Sequence, residues 1–437
     1  MKERELYEHA RNERIPAAVQ LQSKLPERHA PGQWPAYSRK ARGIDIWDVD
    51  DNVFHDWSAH GIGAVLLGYR DDTVTQAVVR CVEEGSFSFL NPPEEVELAD
   101  LLCELHPWAE NVRFARSGGE IATIAVRIAR ATTQRSKVAI CGYHGWHDWY
   151  LSANLGSSEA LRGHLLPGLN PLGVPRELRG TSWVFGMNDQ DAFDQIITDH
   201  GDDLACVIME PCRHQDPVPG FLEHVRDEAH RTGALLIYDE ITIGWRRCLG
   251  GAHLLTNVNP DMATFAKSLG NGHPIAAVIG TRTAMDGAHE SFISSTYWSE
   301  RVGPVAALAT LKKMQQVDVP AHVAYMGRKI REVWQHHQQK FSLPISFPAY
   351  YDCFPTMVFE HELAAELKLL MIQEMLQRGF MAGTSVYVTL AHNEENLQPY
   401  AQAIGETFSV IANALRKGDI EDRLQGPLPV TGFQRLL

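Results

Sequence analysis

Only seven of the 437 residues are cysteine (Cys81, Cys103, Cys141, Cys206, Cys212, Cys248 and Cys353), and no two of them form a Cys-x-x-Cys pair. That scatter offers no redox or metal-ligand pair, and several of the seven lie in apolar runs, as reduced core residues of a cytoplasmic protein do. No apolar run approaches the roughly 20 residues a membrane-spanning helix needs. The opening Met1-Lys-Glu-Arg-Glu-Leu lacks the apolar centre of a signal peptide. Positive charge is also short: 40 Lys and Arg face 54 Asp and Glu, a net −14. This balance argues against a nucleic-acid or anionic-membrane surface, and it means that an anionic cofactor needs its own local donors. There is no Walker or Rossmann glycine pattern, no HExxH, no internal repeat and no low-complexity tract. What remains is an ordinary globular composition, 44% hydrophobic and 22% charged, in a chain long enough for two or more packed units.

Two charged residues at the ends of apolar runs organise the chain. Ala234-Leu-Leu-Ile-Tyr closes on Asp239, and the run from Met262 to Ala266 closes on Lys267, followed by Ser-Leu-Gly-Asn-Gly-His-Pro. Each run is short, apolar and ended by turn chemistry, which predicts a central strand covered on both faces. Asp239 and Lys267 then stand at the carboxyl edge of a sheet, where open α/β sheets bind ligands. Two readings of the pair stay open on these residues alone. One is a salt bridge between strand ends. The other is a lysine that forms a Schiff base with an aldehyde, beside a carboxylate that keeps a pyridine nitrogen protonated.

The remaining segments surround that edge. Residues 1 to about 40 read as a helix and an irregular arm, and the alternation from Ile44 to Trp57 about Asp-Asp-Asn predicts a hairpin. Asp48, Asp50, Asp51 and Asn52 lack the glycine and terminal Glu of an EF-hand, so they read as the turn. Helices are predicted over 72–84 and 94–105. The strand Val112-Arg-Phe-Ala-Arg runs into Ser117-Gly118-Gly119-Glu120 and a helix with Ile121, Ile124, Ala125 and Ile128 on one face. A hydroxyl and backbone N–H groups at a helix start suit either a phosphate cradle or a plain N-cap. After the strand 137–141 comes Gly142-Tyr-His-Gly-Trp-His-Asp-Trp-Tyr, whose rings suit stacking on a flat ligand. His144 and His147 have no second ligand cluster to make a metal site. Residues 151–180 read as a long loop. A third acidic residue, Glu210, follows the strand 204–209. Beyond 315, polar helices (328–340, 363–378, 396–416) alternate with short strands predicted at 356–359 and 385–389.

With these pieces in order, the chain resembles the class-III pyridoxal-phosphate-dependent aminotransferases, and within them the glutamate-1-semialdehyde aminomutase-like group. Four motifs carry the likeness: Ser-Gly-Gly-Glu (117–120), Tyr-His-Gly (143–145), Asp-Glu-Ile-Thr-Ile-Gly-Trp-Arg (239–246) and Ala-Lys-Ser-Leu-Gly-Asn-Gly-His-Pro (266–274). The resemblance implies that Lys267 carries the Schiff base and then moves the substrate proton, while Asp239 pairs with the pyridinium nitrogen. It also implies that Ile241 packs behind the ring, that Tyr143 stacks on its other face with His144 in support, and that Ser117, Gly118 and Gly119 hold the phosphate. Glu210 falls at the family's Glu-Pro position near the substrate. Thr296 matches a threonine that reaches the phosphate of the neighbouring subunit, which implies a homodimer with composite sites. The family usually has Ser or Thr where Gly119 stands, and the wording around Thr296 departs from its pattern.

The expectation is therefore an α/β protein of fold type I, with a mainly parallel sheet flanked by helices and a smaller α+β domain. Its expected parts are an arm and hairpin (1–60), a large cofactor-binding domain (61–314) and a small C-terminal domain (315–437). The expected activity is transfer of an amino group from a donor to an aldehyde or ketone in ping-pong half-reactions, with pyridoxal 5′-phosphate as cofactor. An intramolecular aminomutase, a racemase or epimerase, and a non-catalytic cofactor-binding homologue are the alternatives.

Overall fold

Apolar runs closed by charged or glycine-rich turns become the strands of a seven-stranded sheet in the computed structural model, which describes residues 2–157, 160–164 and 168–432. The chain divides into two compact units, Asp72–Val317 and Met1–Asp71 with Asp318–Leu437. In the first, the strands lie across the sheet in the order Asn111–Ala115, Ala276–Gly280, Met262–Phe265, Leu235–Asp239, Leu204–Met209, Lys137–Cys141, Ser182–Val184. Neighbours run parallel except that Ala276–Gly280 is antiparallel to both strands beside it. Every residue of Leu204–Met209 is buried, the physical cause of its unbroken apolar run. The helix Gly118–Thr133 buries Ile121, Ile124, Ala125 and Ile128 in a core shared with Ile140, Ile208, Ile237 and Val278 of the sheet. Helices also form at Asp72–Glu84 and Glu94–Leu105, where the periodicity predicts them. The strands ending in Asp239 and Phe265 are adjacent and parallel, so Asp239 and Lys267 leave the sheet at the same edge.

The second unit joins the two ends of the chain in one sheet. Ser38–Arg42, Asp45–Asp48 and Val53–Trp57 form an antiparallel ladder, and Phe380–Ala382 adds in parallel to Val53–Trp57. Asp48 Oδ1 accepts from the N–H groups of Asp50 and Asn52, at 2.9 and 2.8 Å, so the acidic cluster is the hairpin turn. Trp57 stacks on Tyr400 with centroids 4.0 Å apart, and Trp334 Nε1 donates to the Tyr400 hydroxyl at 2.9 Å. This core ties the hairpin to the helices Val319–Phe341 and Glu394–Lys417.

Two predicted strands change. Residues 356–359 keep only Val358–Phe359 as a strand. Residues 385–389 make a single bridge, Ser385 to Thr356: the N–H groups of Val386 and Val388 go to the Pro355 and Cys353 carbonyls, while that of Tyr387 goes to Ser58. An alternating pattern thus satisfies its backbone without a regular partner. A strong packing constraint lies at Gly327, where a Cβ would fall on the Asp352 carbonyl. Gly327→Ala should lower stability by about 2 kcal/mol or more, read from the urea midpoint.

Candidate active site

The floor of the site is set where two adjacent strands end. Asp239 is 3% exposed, and both its carboxylate oxygens are held. The Ile241 N–H donates to Oδ1 at 2.9 Å, and His144 Nδ1 lies 2.7 Å from Oδ2. The other His144 nitrogen lies 3.2 Å from the Cys141 carbonyl, which fixes the plane of the buried ring. The carboxylate is thereby oriented by a residue 95 positions away in sequence.

Lys267 takes a left-handed backbone conformation, φ 46°, at the start of a 3₁₀ turn that runs to Gly270. Such a conformation costs a non-glycine residue roughly 1–2 kcal/mol and collects at functional positions. Its Nζ donates to Thr242 Oγ1 at 2.8 Å. Buried Arg246 braces this corner, with Nε donating to the Thr242 carbonyl at 2.9 Å and Nη2 to Ser268 Oγ at 3.0 Å. Burial, with the Arg246 guanidinium next in effect, brings the Lys267 ammonium from 10.5 down to about 8, against the opposing pull of Asp239 and Glu210. In cofactor-free protein the rate of amine modification at Lys267 should therefore rise through an apparent pKa near 8, read by peptide mapping across a pH series. The unfolded chain keeps that proton up to 10.5, so this site's contribution to stability should increase as pH rises from about 8 to 10.5.

The walls come from two glycine-bearing segments. A Cβ on Gly118 would lie 3.2 Å from Ile241 Cδ1, so the helix start and Ile241 are in direct contact. Gly145, at φ 107°, would place a Cβ 3.1 Å from Gly119 Cα, which seats the 143–145 turn on the same helix start. Glu210 holds that turn from below: its Oε2 accepts from Arg213 Nη1 at 2.7 Å and lies 3.5 Å from the Tyr143 N–H. Burial raises the Glu210 carboxyl, while Arg213 pulls it down. Ser117 caps the helix Gly118–Thr133, and Glu120 Oε2 accepts from both its N–H and its hydroxyl, at 2.9 and 3.1 Å. Tyr143 is half-buried, its ring edge-on to Tyr150 at 5.9 Å.

The structure thus brings Asp239, His144, Ile241, Lys267, Tyr143, Glu210, Ser117, Gly118 and Gly119 to one edge of the sheet. Thr296 stands apart, exposed at the head of a 3₁₀ turn, with no hydrogen bond to the others among the described residues. His144 and His147 also part, one ring on Asp239 and the other over Gly119. Thr242, Arg246 and Arg213 were missed as site residues by sequence reasoning. Thr242 and Arg246 lie within the Asp239–Arg246 motif, where a hydroxyl and an arginine close behind Asp239 were the only signal.

The solved structures and the family that this chain matches make the class of its fold that of the pyridoxal-phosphate-dependent transferases of fold type I. The FumI protein of Sphingopyxis sp. MTA144, solved with PLP, matches with a TM-score of 0.85 at 22% identity, over 95% of this chain and 97% of that one. The chain belongs to the class-III aminotransferase family, whose model matches residues 28–345. The 3-aminobutyryl-CoA aminotransferase of Cloacimonas acidaminovorans (strain Evry) is 31% identical over 405 residues, covering 90% of this chain and 93% of that protein. A glutamate-1-semialdehyde 2,1-aminomutase of Methanocaldococcus jannaschii is 29% identical over 398 residues, covering 86% and 92%. The cofactor of the family is pyridoxal phosphate.

Proposed function

We propose that this protein moves an amino group from a small-molecule donor to an aldehyde or ketone, in two half-reactions at the site of Lys267. The observation that carries the reading is the pairing at one sheet edge of a lysine amine near neutrality with a buried, doubly hydrogen-bonded carboxylate. The residues fit pyridoxal phosphate: an oriented carboxylate suits a ring nitrogen, Ile241 lies against the helix start at Gly118, and that helix start suits an anion. Asp239 would pair with the ring nitrogen. Ile241 and Tyr143 would cover the two faces, with His144 behind Asp239. Ser117, Gly118 and Gly119 would hold the phosphate. Glu210, fixed by Arg213, would shape the wall beside Tyr143.

When bound, the cofactor supplies a ring that draws electrons from the carbon next to the transferred nitrogen. The protein's part is to position and to move protons. Lys267 would hold the cofactor through Nζ and, once released, carry a proton to and from the substrate carbon. Thr242 keeps that amine aimed, and Arg246 favours its neutral form.

The exposed turn of Thr296 supports a site completed by a second copy, in which Thr296 would reach the partner's phosphate; the proposed unit is a homodimer whose monomer is inactive. The free state of all seven cysteines supports a cytoplasmic setting, and among the described residues no helix is long and apolar enough to cross a membrane.

The test is the visible spectrum of the cofactor-loaded protein against a panel of amino donors. Bleaching by one donor, with recovery on addition of a carbonyl acceptor, is the expected result. A substrate isomerised with no external donor would make the protein a mutase, and a spectrum that no donor or substrate alters would overturn the enzymatic reading.

A further inference from the structure

Position 119 has no side chain, yet the space beside it is filled. An ideal Cβ on Gly119 would lie 2.9 Å from His147 Cε1 and 3.0 Å from His147 Nδ1. The imidazole therefore stands where the side chain of residue 119 would otherwise project. Its backbone is anchored: the His147 carbonyl accepts from the N–H groups of Tyr150 and Leu151, at 3.0 and 3.1 Å, and opens the short helix Asp148–Leu151. The ring is backed by Trp146, stacked at 4.5 Å and 20°. Gly145 allows the turn to approach so closely, since any side chain there would strike Gly119.

His147 Nδ1 is buried and has no hydrogen-bond partner among the described residues. A buried polar atom left unpaired costs about 1–3 kcal/mol, so such an atom in a well-packed wall calls for a partner that the protein itself does not contain. It lies at the start of the 16-residue helix Gly118–Thr133, whose first N–H groups have no carbonyl within the helix to bond. Ser117 offers its side-chain oxygen only to the Glu120 N–H, as half of a capping box, and its hydroxyl proton goes to Glu120 Oε2. An unpartnered ring nitrogen beside Gly119, the second residue of a helix with unbonded first N–H groups, suits an oxyanion with several acceptor oxygens.

We infer that His147 Nδ1 donates a hydrogen bond to the phosphate of the bound cofactor, taking the place of a side-chain donor at position 119. This rests on the proposed cofactor site and adds a residue to it.

Equilibrium titration of cofactor-free protein with pyridoxal phosphate, and separately with pyridoxal, tests the inference. His147→Ala should weaken pyridoxal phosphate binding about 10-fold or more, while pyridoxal, which has no phosphate, binds within about twofold of the wild-type value. His147→Asn, which keeps an N–H donor near the same point, should recover most of the loss. Gly119→Ser in the His147→Ala background should recover part of it, because the serine then has room. An unchanged pyridoxal phosphate affinity in His147→Ala, or an equal loss for both ligands, would overturn the inference and leave the cofactor site standing. Wild-type protein that takes up pyridoxal phosphate no better than Lys267→Ala would instead sink the proposed function itself.

Discussion

Lys267→Ala is expected to lower the rate of amino transfer by about 10⁴-fold or more while leaving the fold intact. Among the described residues no other amine is held at this corner: Thr242 Oγ1 receives the lysine at 2.8 Å, and the neighbouring cation, Arg246, bonds the Thr242 carbonyl and Ser268. Removing the side chain also removes the cation whose burial lowers it to about 8. Stability should therefore stay the same or rise, which separates this reading from a structural salt bridge. If Lys267 were only half of a strand-end ion pair, the variant would lose stability and keep activity. Single-turnover rates with a donor that bleaches the wild-type spectrum, measured beside a urea titration, decide between them. An activity within tenfold of wild type would end the assignment of Lys267.

The second large effect is expected at Asp239. Asp239→Asn keeps the shape and the Ile241 contact but removes the negative charge that would face the ring nitrogen of the bound cofactor. The rate should fall by about 10²- to 10³-fold, with cofactor affinity reduced far less. His144 sharpens the test, because its Nδ1 sits 2.7 Å from Asp239 Oδ2 and both residues are buried. With its oxygen kept on the Ile241 N–H, the amide NH2 donates to His144 Nδ1 while His144 Nε2 donates to the Cys141 carbonyl, so the pocket should keep its geometry. A variant with full activity would show that the carboxylate acts only as a bracket for His144.

Much of this was legible from residue patterns because the relevant physics is local. A strand covered on both faces needs an unbroken apolar run, and Leu204–Met209 and Leu235–Asp239 have one. A helix with one buried face needs apolar residues at three- and four-residue steps, and Gly118–Thr133 has them. The segment 385–389 misled for the same reason. Its alternation fits a strand, but its N–H groups divide between the 353–355 stretch and Ser58. Phe380–Ala382 was invisible because three residues are too few to show a period. The polar Ser38–Arg42 hid in an irregular arm because its side chains are mostly exposed.

By itself the sequence determined the sheet's central strands, the charged residues that close them, the glycine-opened helix and the family to which those motifs point. Each depends on burial or turn chemistry that is expressed over a few consecutive residues. Only the tertiary structure decided which distant groups meet: His144 on Asp239, Arg213 on Glu210, Arg246 braced against Ser268, and the His147 ring over Gly119. It also decided that the strand before residue 383 completes the sheet of the 45–57 hairpin. Hydrogen bonds between residues tens of positions apart depend on where strand edges and turns come to rest, and that placement leaves no period in the chain.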